Sequence, residues 1–298
     1  MATAGPPKIA QREKVALVLG AGGARGLAQI GVIEVLEARG FEIVAIAGSS
    51  SGALVGGVHA AGRLAQFREG MERLSRGGLV RLLDPVLGRP GLISGHKLVE
   101  AMRDVVGDPD IESLPIAFTA VAVDLERQRV VWLRRGPLWD ALRASFAIPG
   151  LFTPHAVHGR ELVDGGLLAP LPIAASRLSD AHRLIAVDMH ARPRSPPGAP
   201  ANGGVRPPAD VRRGRRLLRW FDRSLGHDPG EPGLAEVMSR ALDTMQAQIA
   251  RVELALDPPE LVVEIPRDVC QFYEFWRAKE LVDVGREATE KALEAAGY

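Results

Sequence analysis

The chain has 298 residues, 46% of them apolar and 24% charged, with a formal net charge of +1 and a single cysteine, Cys270. That length and apolar content allow one large α/β domain or two small ones, while near-neutrality excludes a global pull toward nucleic acid, so any basic function is local. One thiol excludes an intramolecular disulfide framework and fits a reducing compartment, with Cys270 read as a small, partly buried hydrophobe.

Residues 1–13 read as a mobile tail. The opening MATAGPPKIAQREK has no apolar stretch of the secretory type, so a cytoplasmic protein is expected. Val15–Leu19 is a β-branched apolar run, a buried strand, leading into Gly20-Ala21-Gly22-Gly23-Ala24-Arg25-Gly26. A helix is predicted over Leu27–Arg39, with Ile30, Ile33, Val35 and Leu36 in its apolar pattern and Gly40 as its stop. A second strand, Ile43–Ala47, runs into Gly48-Ser49-Ser50-Ser51-Gly52 and then a small-residue apolar helix. This βαβα opening implies parallel strands with helices packed across them. Residues 43–62 carry no Asp, Glu, Lys or Arg, but five glycines, three serines and a histidine make a poor membrane span.

Residues 63–115 read as mainly helical, interrupted at Pro85, Pro90-Gly91 and Pro109. Strands are predicted at Ile116–Val123 and, as its hairpin neighbour, Val130–Leu133; a helix at Leu138–Phe146; and a short strand at Glu161–Val163 entering Asp164-Gly165-Gly166. Arg183–Met189 is a further buried strand. Residues 191–233 are rich in proline and glycine and read as an insertion. A long helix over Leu234–Leu256, a strand over Leu261–Ile265 and a helix over Phe275–Ala296 complete the chain. His155 and His158 form a close pair without a third ligand, and no metal-ligand cluster is visible.

Strand, G-x-S-x-G, helix is the arrangement of a nucleophile elbow. It presents the central residue, Ser50, at the carboxyl end of a strand, before a helix whose N–H groups favour developing negative charge. The plainer alternative is a Ser/Gly loop with Ser49 or Ser51 as helix cap. The first glycine turn also has two functional readings. A dinucleotide site requires a carboxylate at the end of the second strand, where this chain has Gly48-Ser49-Ser50, and Glu42 stands at the wrong end. An oxyanion hole instead uses converging backbone N–H groups, which consecutive glycines allow; a tight turn without a ligand stays open beside both. Arg25 either adds positive charge to that turn or faces solvent. For a base, His190 follows one strand and Asp164 ends another. An aspartate is a weak base near its reference pKa of about 3.9, but desolvation raises it.

These residues resemble the patatin-like phospholipases, lipid acyl hydrolases with a Ser–Asp dyad. Gly20-x-Gly22-Gly23-x-Arg25-Gly26 is similar to the family's oxyanion loop, Gly48-Ser49-Ser50-Ser51-Gly52 to its elbow, and Asp164-Gly165-Gly166 to its dyad-aspartate motif. The run Ala144–Pro154 resembles the stretch before that aspartate, and the likeness is closest to bacterial members similar to the catalytic domain of neuropathy target esterase. Ala21, Gln29, Ser49 and Ala169 depart from frequent family residues without removing a catalytic group. The resemblance implies a three-layer α/β/α patatin-type fold with a mainly parallel central sheet, one domain over 14–298. It implies Ser50 as nucleophile, Asp164 as base, and the amides of Gly22, Gly23, Ala24, Arg25 and Gly26 around the oxyanion. The expected activity is that of a carboxylic ester hydrolase on lipid esters, without metal or organic cofactor. A catalytically weak regulatory or lipid-binding protein of the same fold is the alternative. Residues 206–225 hold seven arginines against two aspartates, a local +5, interleaved with Leu217, Leu218, Trp220 and Phe221. Peripheral contact with anionic membrane is therefore expected there, against the alternative of a solvated linker.

Overall fold

The computed structural model describes residues 13–194, apart from 87, 89, 178, 180 and 182, together with residues 234–298. Residues 1–12 of the tail and nearly all of the 191–233 insertion, with its 206–225 basic segment, lie outside the described residues.

The main sheet is built from β1 (Lys14–Leu19), β2 (Glu42–Ser49), β4 (Ala117–Asp124), β5 (Arg129–Leu133), β7 (His155–Val157), β8 (Arg160–Asp164), β9 (Arg183–Ala191) and β10 (Leu261–Pro266), in the order β10-β9-β1-β2-β4-β8-β7 with β5 also on β4. It is parallel from β10 through β9, β1 and β2 to β4, and antiparallel beyond. Two short strands, β3 (Gly91–Ile93) and β6 (Gly150–Phe152), pair separately. The predicted strands are all present; Ile116–Val123 is shifted by one residue to Ala117–Asp124, and the others are extended by one to three residues. The Ile43–Gly62 stretch resolves into β2 and the helix α2 (Ser51–Ala60), and among the described residues no helix is long and apolar enough to cross a membrane.

Alternation along β1 decides the layers. Val15, Leu17 and Leu19 face a large core with α1 (Ala28–Ala38), α2 and the last helix, α9 (Ala278–Ala296). Ala16 and Val18 face a smaller core with Leu171, Ile173 and Ala250, under the short helix α7 (Ile173–Ser176) and the long helix α8 (Leu234–Leu256). Helices therefore cover both faces of the sheet. The 63–115 region resolves into α3 (Leu64–Arg73), α4 (Arg76–Leu82) and α5 (His96–Val106), with β3 between α4 and α5; α6 is Leu138–Ser145.

The first predicted helix differs at its start. Gly23–Leu27 forms a tighter 3-10 turn before α1 begins at Ala28. Gly23 has φ +57, and a Cβ there would lie 2.3 Å from the Phe272 ring, so the turn is shaped by a residue far along the chain. A 3-10 turn likewise precedes α9, at Phe275–Arg277.

Candidate active site

Ser50 stands between β2 and α2 with φ 54 and ψ −121, one of three non-glycine residues with positive φ among those described. This lies outside the left-handed basin that L-residues tolerate, so the turn is strained. The close packing around it explains why the conformation holds. Gly52 has no room for a side chain, because a Cβ would come within 2.1 Å of the Leu19 carbonyl oxygen. Gly48 likewise yields space to the backbone of Gly52 and Ala53, at 2.6 Å from a Cβ there. The first turn of α2 is thereby drawn onto the ends of β1 and β2, and its leading N–H groups have no helical acceptors.

The three neighbouring serines have different fates. The Ser49 hydroxyl donates to the Ala169 carbonyl at 2.6 Å, and the Ser51 hydroxyl accepts from the Gly22 N–H at 3.1 Å. These bonds tie the glycine turn and the Asp164 loop to the elbow. The Ser50 hydroxyl is instead the side-chain hydrogen-bonding neighbour of the Asp164 carboxyl. Ser145, unremarked in the sequence beyond its place in the Ala144–Pro154 run, fixes the Ser50 backbone: its hydroxyl accepts the Ser50 N–H at 3.0 Å and donates to the Val121 carbonyl at 2.6 Å.

Register brings Asp164 to the same level. Ser49 pairs with Val121 across β2 and β4, and Ala122 pairs with Asp164 across β4 and β8. Ser50 and Asp164 thus flank β4 on one row, with backbones about 10 Å apart across two strand spacings, a gap their side chains close. Asp164 Oδ1 accepts from the Gly166 N–H at 2.7 Å, while Oδ2 is buried without a hydrogen-bond partner among the described residues. Catalytic hydrogen bonds are often long before substrate binds and tighten in the complex. Burial pushes the Asp164 carboxyl up to about 7, partly offset by the Ser50 hydroxyl and the Gly166 N–H. Gly165 lets the chain pass close to β4, with a Cβ position only 2.2 Å from the Val121 carbonyl oxygen.

In the glycine turn, most amides already have partners. Gly22 N–H goes to Ser51, Ala24 N–H to the Phe272 carbonyl at 2.8 Å, and Arg25 N–H to the Gly22 carbonyl at 3.2 Å. Gly26 lies inside the 3-10 turn against Ser51. Among the described residues no acceptor takes the Gly23 N–H. Gln29 braces the turn from within, its side-chain amide donating to the Gly20 carbonyl at 3.0 Å.

Arg25 does not face solvent. It is 3% exposed and pairs with Asp243 of α8 through Nη2 at 2.7 Å, while Nη1 donates to the Arg267 carbonyl at 3.1 Å. Asp243 is a partner that nothing in the sequence marked, since it lies 218 residues away. His190 is buried near this ion pair, and burial, then the charge of Arg25, lowers its pKa to about 4; no interaction joins it to Ser50 among the described residues. His155 contacts Asp140 at 3.0 Å, and no group of metal-ligating side chains exists among the described residues. Cys270 is buried, and desolvation pushes its thiol up to about 12.

Residues 17–176 match the family model for patatin-like phospholipase. An uncharacterized NTE family protein of Mycobacterium tuberculosis (strain ATCC 25618 / H37Rv) is 43% identical, the alignment covering 95% of this chain and 92% of that protein. Lysophospholipase NTE1 of Yarrowia lipolytica is 27% identical over 96% of this chain but only 20% of its own length. Among solved structures, the type III effector protein ExoU aligns with a TM-score of 0.43 at 14% identity, over 98% of this chain and 54% of that one. By the family match and the mycobacterial relative, the chain belongs to the patatin-like phospholipase family.

Proposed function

We propose that the protein is a serine acyl hydrolase of lipid carboxylic esters, of the lysophospholipase type, with Ser50 as nucleophile and Asp164 as its base. The observation that carries this reading is the buried Asp164 carboxyl, raised to about 7, with the Ser50 hydroxyl against it. A base poised near the working pH accepts the hydroxyl proton as the serine oxygen attacks the ester carbonyl carbon. The oxyanion so formed is held by the Gly23 N–H and the leading N–H groups of α2. Collapse expels the alcohol, which takes the proton from Asp164. Water, deprotonated by the same carboxylate, then attacks the acyl-enzyme; the fatty acid leaves as Asp164 returns the proton to the Ser50 oxygen.

The experiment is hydrolysis of a lysophospholipid panel with mass-spectrometric readout, alongside fluorophosphonate labelling. Wild type should release fatty acid and label at one serine, and Ser50→Ala should do neither. Labelling retained at Ser49 or Ser51 overturns the choice of serine. The sequence of residues 206–225 further supports peripheral docking on anionic lipid. Vesicle co-sedimentation should weaken when Arg212, Arg213, Arg215 and Arg216 become Gln, with soluble-ester hydrolysis unchanged.

A further inference from the structure

Among the described residues, α8 carries more exposed large apolar side chains than any other element. One side of the helix is committed to its own protein. Asp243 pairs with Arg25, Ala247 and Ala250 are buried, and Glu253 accepts the Leu171 N–H at 3.1 Å. Another side carries Met238, Leu242, Met245, Ile249, Val252 and Leu256, in steps of four, three, four, three and four residues. Met238, Met245, Val252 and Leu256 are 53%, 55%, 55% and 80% exposed, with Leu242 and Ile249 half-buried.

This is a strict 3.5-residue seam, narrower than the broad apolar stripe by which a helix packs onto a globular core. A second helix fits it better than a lipid surface does. An interfacial helix carries Lys and Arg beside its apolar face, with Trp or Phe on it. Here the outer flank is Ala241, Thr244, Gln248 and Ala255, and Arg251 is held by Gln248 at 2.7 Å. With Ala241, Thr244 and Ala255 beside the seam, a second helix can approach closely.

We propose that this seam is a homodimer interface, with two copies of α8 packed antiparallel about a two-fold axis level with Ala247. The spacing is palindromic, so the seam complements itself. Met238 lies opposite the partner subunit's Leu256, Leu242 opposite the partner subunit's Val252, and Met245 opposite the partner subunit's Ile249. Gln248 meets its own copy near the axis, and no like charges are brought face to face. The four most exposed seam residues present on the order of 450 Å² of apolar surface per protomer, so pairing hides about twice that, near the roughly 1,000 Å² expected of a specific interface.

The test is analytical ultracentrifugation of the full chain across the micromolar range. Wild type should show a concentration-dependent dimer. The double variant Met245→Glu, Val252→Glu should be monomeric, with unchanged far-UV circular dichroism. Should that variant misfold, Gln248→Cys provides an independent readout: its copies should cross-link under mild oxidation, whereas Val80→Cys, exposed on α4, should not. A monomeric wild type throughout the range, or a double variant that still dimerises, overturns the proposal. A monomeric wild type whose binding to anionic vesicles is lost in the double variant would assign the seam to lipid instead.

Discussion

The two strands that flank β4 bear different costs. On the β2 side, the strain is in the backbone: Ser50 sits at φ 54 and ψ −121, wedged where Gly52 meets the end of β1. On the β8 side, Asp164 has an ordinary φ of −49 and ψ of 130, and the cost is electrostatic, a carboxyl 3% exposed and pushed up to about 7. The first cost is conformational and independent of pH, about 1–3 kcal/mol. The second exists only when the carboxyl is ionised, and from a reference of 3.8 to about 7 it reaches up to about 4 kcal/mol at 1.36 kcal/mol per unit. Substitutions that remove one cost should leave the other intact.

The largest expected effect is on turnover. Asp164→Asn deletes the proposed base while keeping the shape, and should lower kcat by about 10²–10⁴ or more. In wild type the rate should rise with pH to a plateau above about 7, the value to which burial lifts Asp164. Steady-state ester hydrolysis from pH 5 to 9 measures both. If His190→Ala removes activity and Asp164→Asn does not, the base is misassigned.

The same substitution should act on stability in the opposite sense. A carboxyl whose folded pKa lies above its unfolded value favours folding while protonated, and that contribution is lost as pH rises through about 7. Asp164→Asn has no charge to desolvate. It should therefore gain on wild type between pH 5 and pH 8, by about 2–3 kcal/mol, because part of the full difference has already built up by pH 5. Urea melts at the two pH values read the difference, and an equal gap at both would show that the carboxyl is not desolvated in solution.

The β2 side is tested by Ser50→Gly against Ser50→Ala. Glycine relieves about 1–3 kcal/mol of backbone strain but gains about 0.5–1 kcal/mol of unfolded-state entropy. The net expectation is a stabilisation of about 1–2 kcal/mol at any pH. Ser50→Ala keeps the Cβ and the strain, so its denaturation midpoint should stay near that of wild type. Equal midpoints for the two variants would mean that the elbow is relaxed.

The two sides were also unequally legible in the sequence. β1, β2 and the turns after them are local: strand, glycines and helix follow one another, and the atoms nearest a Cβ at Gly52 or Gly48 belong to that unit. The position of Asp164 depends on an antiparallel register with β4 that no local pattern encodes; its place at a strand end before two glycines made it a candidate, and the motif resemblance strengthened it. Ser145 is one polar residue in a helix until its hydroxyl is seen between Ser50 and Val121. Gly23 reads as a permissive turn residue until Phe272 is found against it. In the glycine turn, the sequence offered five equivalent amides. Structure distinguishes them, because Ser51 and Phe272 occupy acceptor positions that lie far from the turn in sequence.

The smallest effect concerns the contact that joins the glycine turn to α8. Arg25 carries a two-point pair to Asp243 and a third bond to the Arg267 carbonyl, with almost no exposure. Its guanidinium is committed to Asp243 and the Arg267 carbonyl, so it is expected to act through the 3-10 turn that carries the Gly23 N–H. Lysine keeps the charge but loses the planar fork, and reaches one of the three acceptors. Arg25→Lys should therefore loosen the turn rather than unfold the protein, which removing the buried Arg25 charge from its half-exposed partner would risk. The expected result is a loss of about tenfold in kcat, roughly 1.4 kcal/mol of transition-state stabilisation, with KM nearly unchanged. Asp243→Asn, altered on the other partner, should have an effect of the same kind, and the double variant should lose less than the sum, because the two residues act as one unit. A change confined to KM would make Arg25 part of the substrate surface, against its burial, and fully additive losses would uncouple the turn from α8.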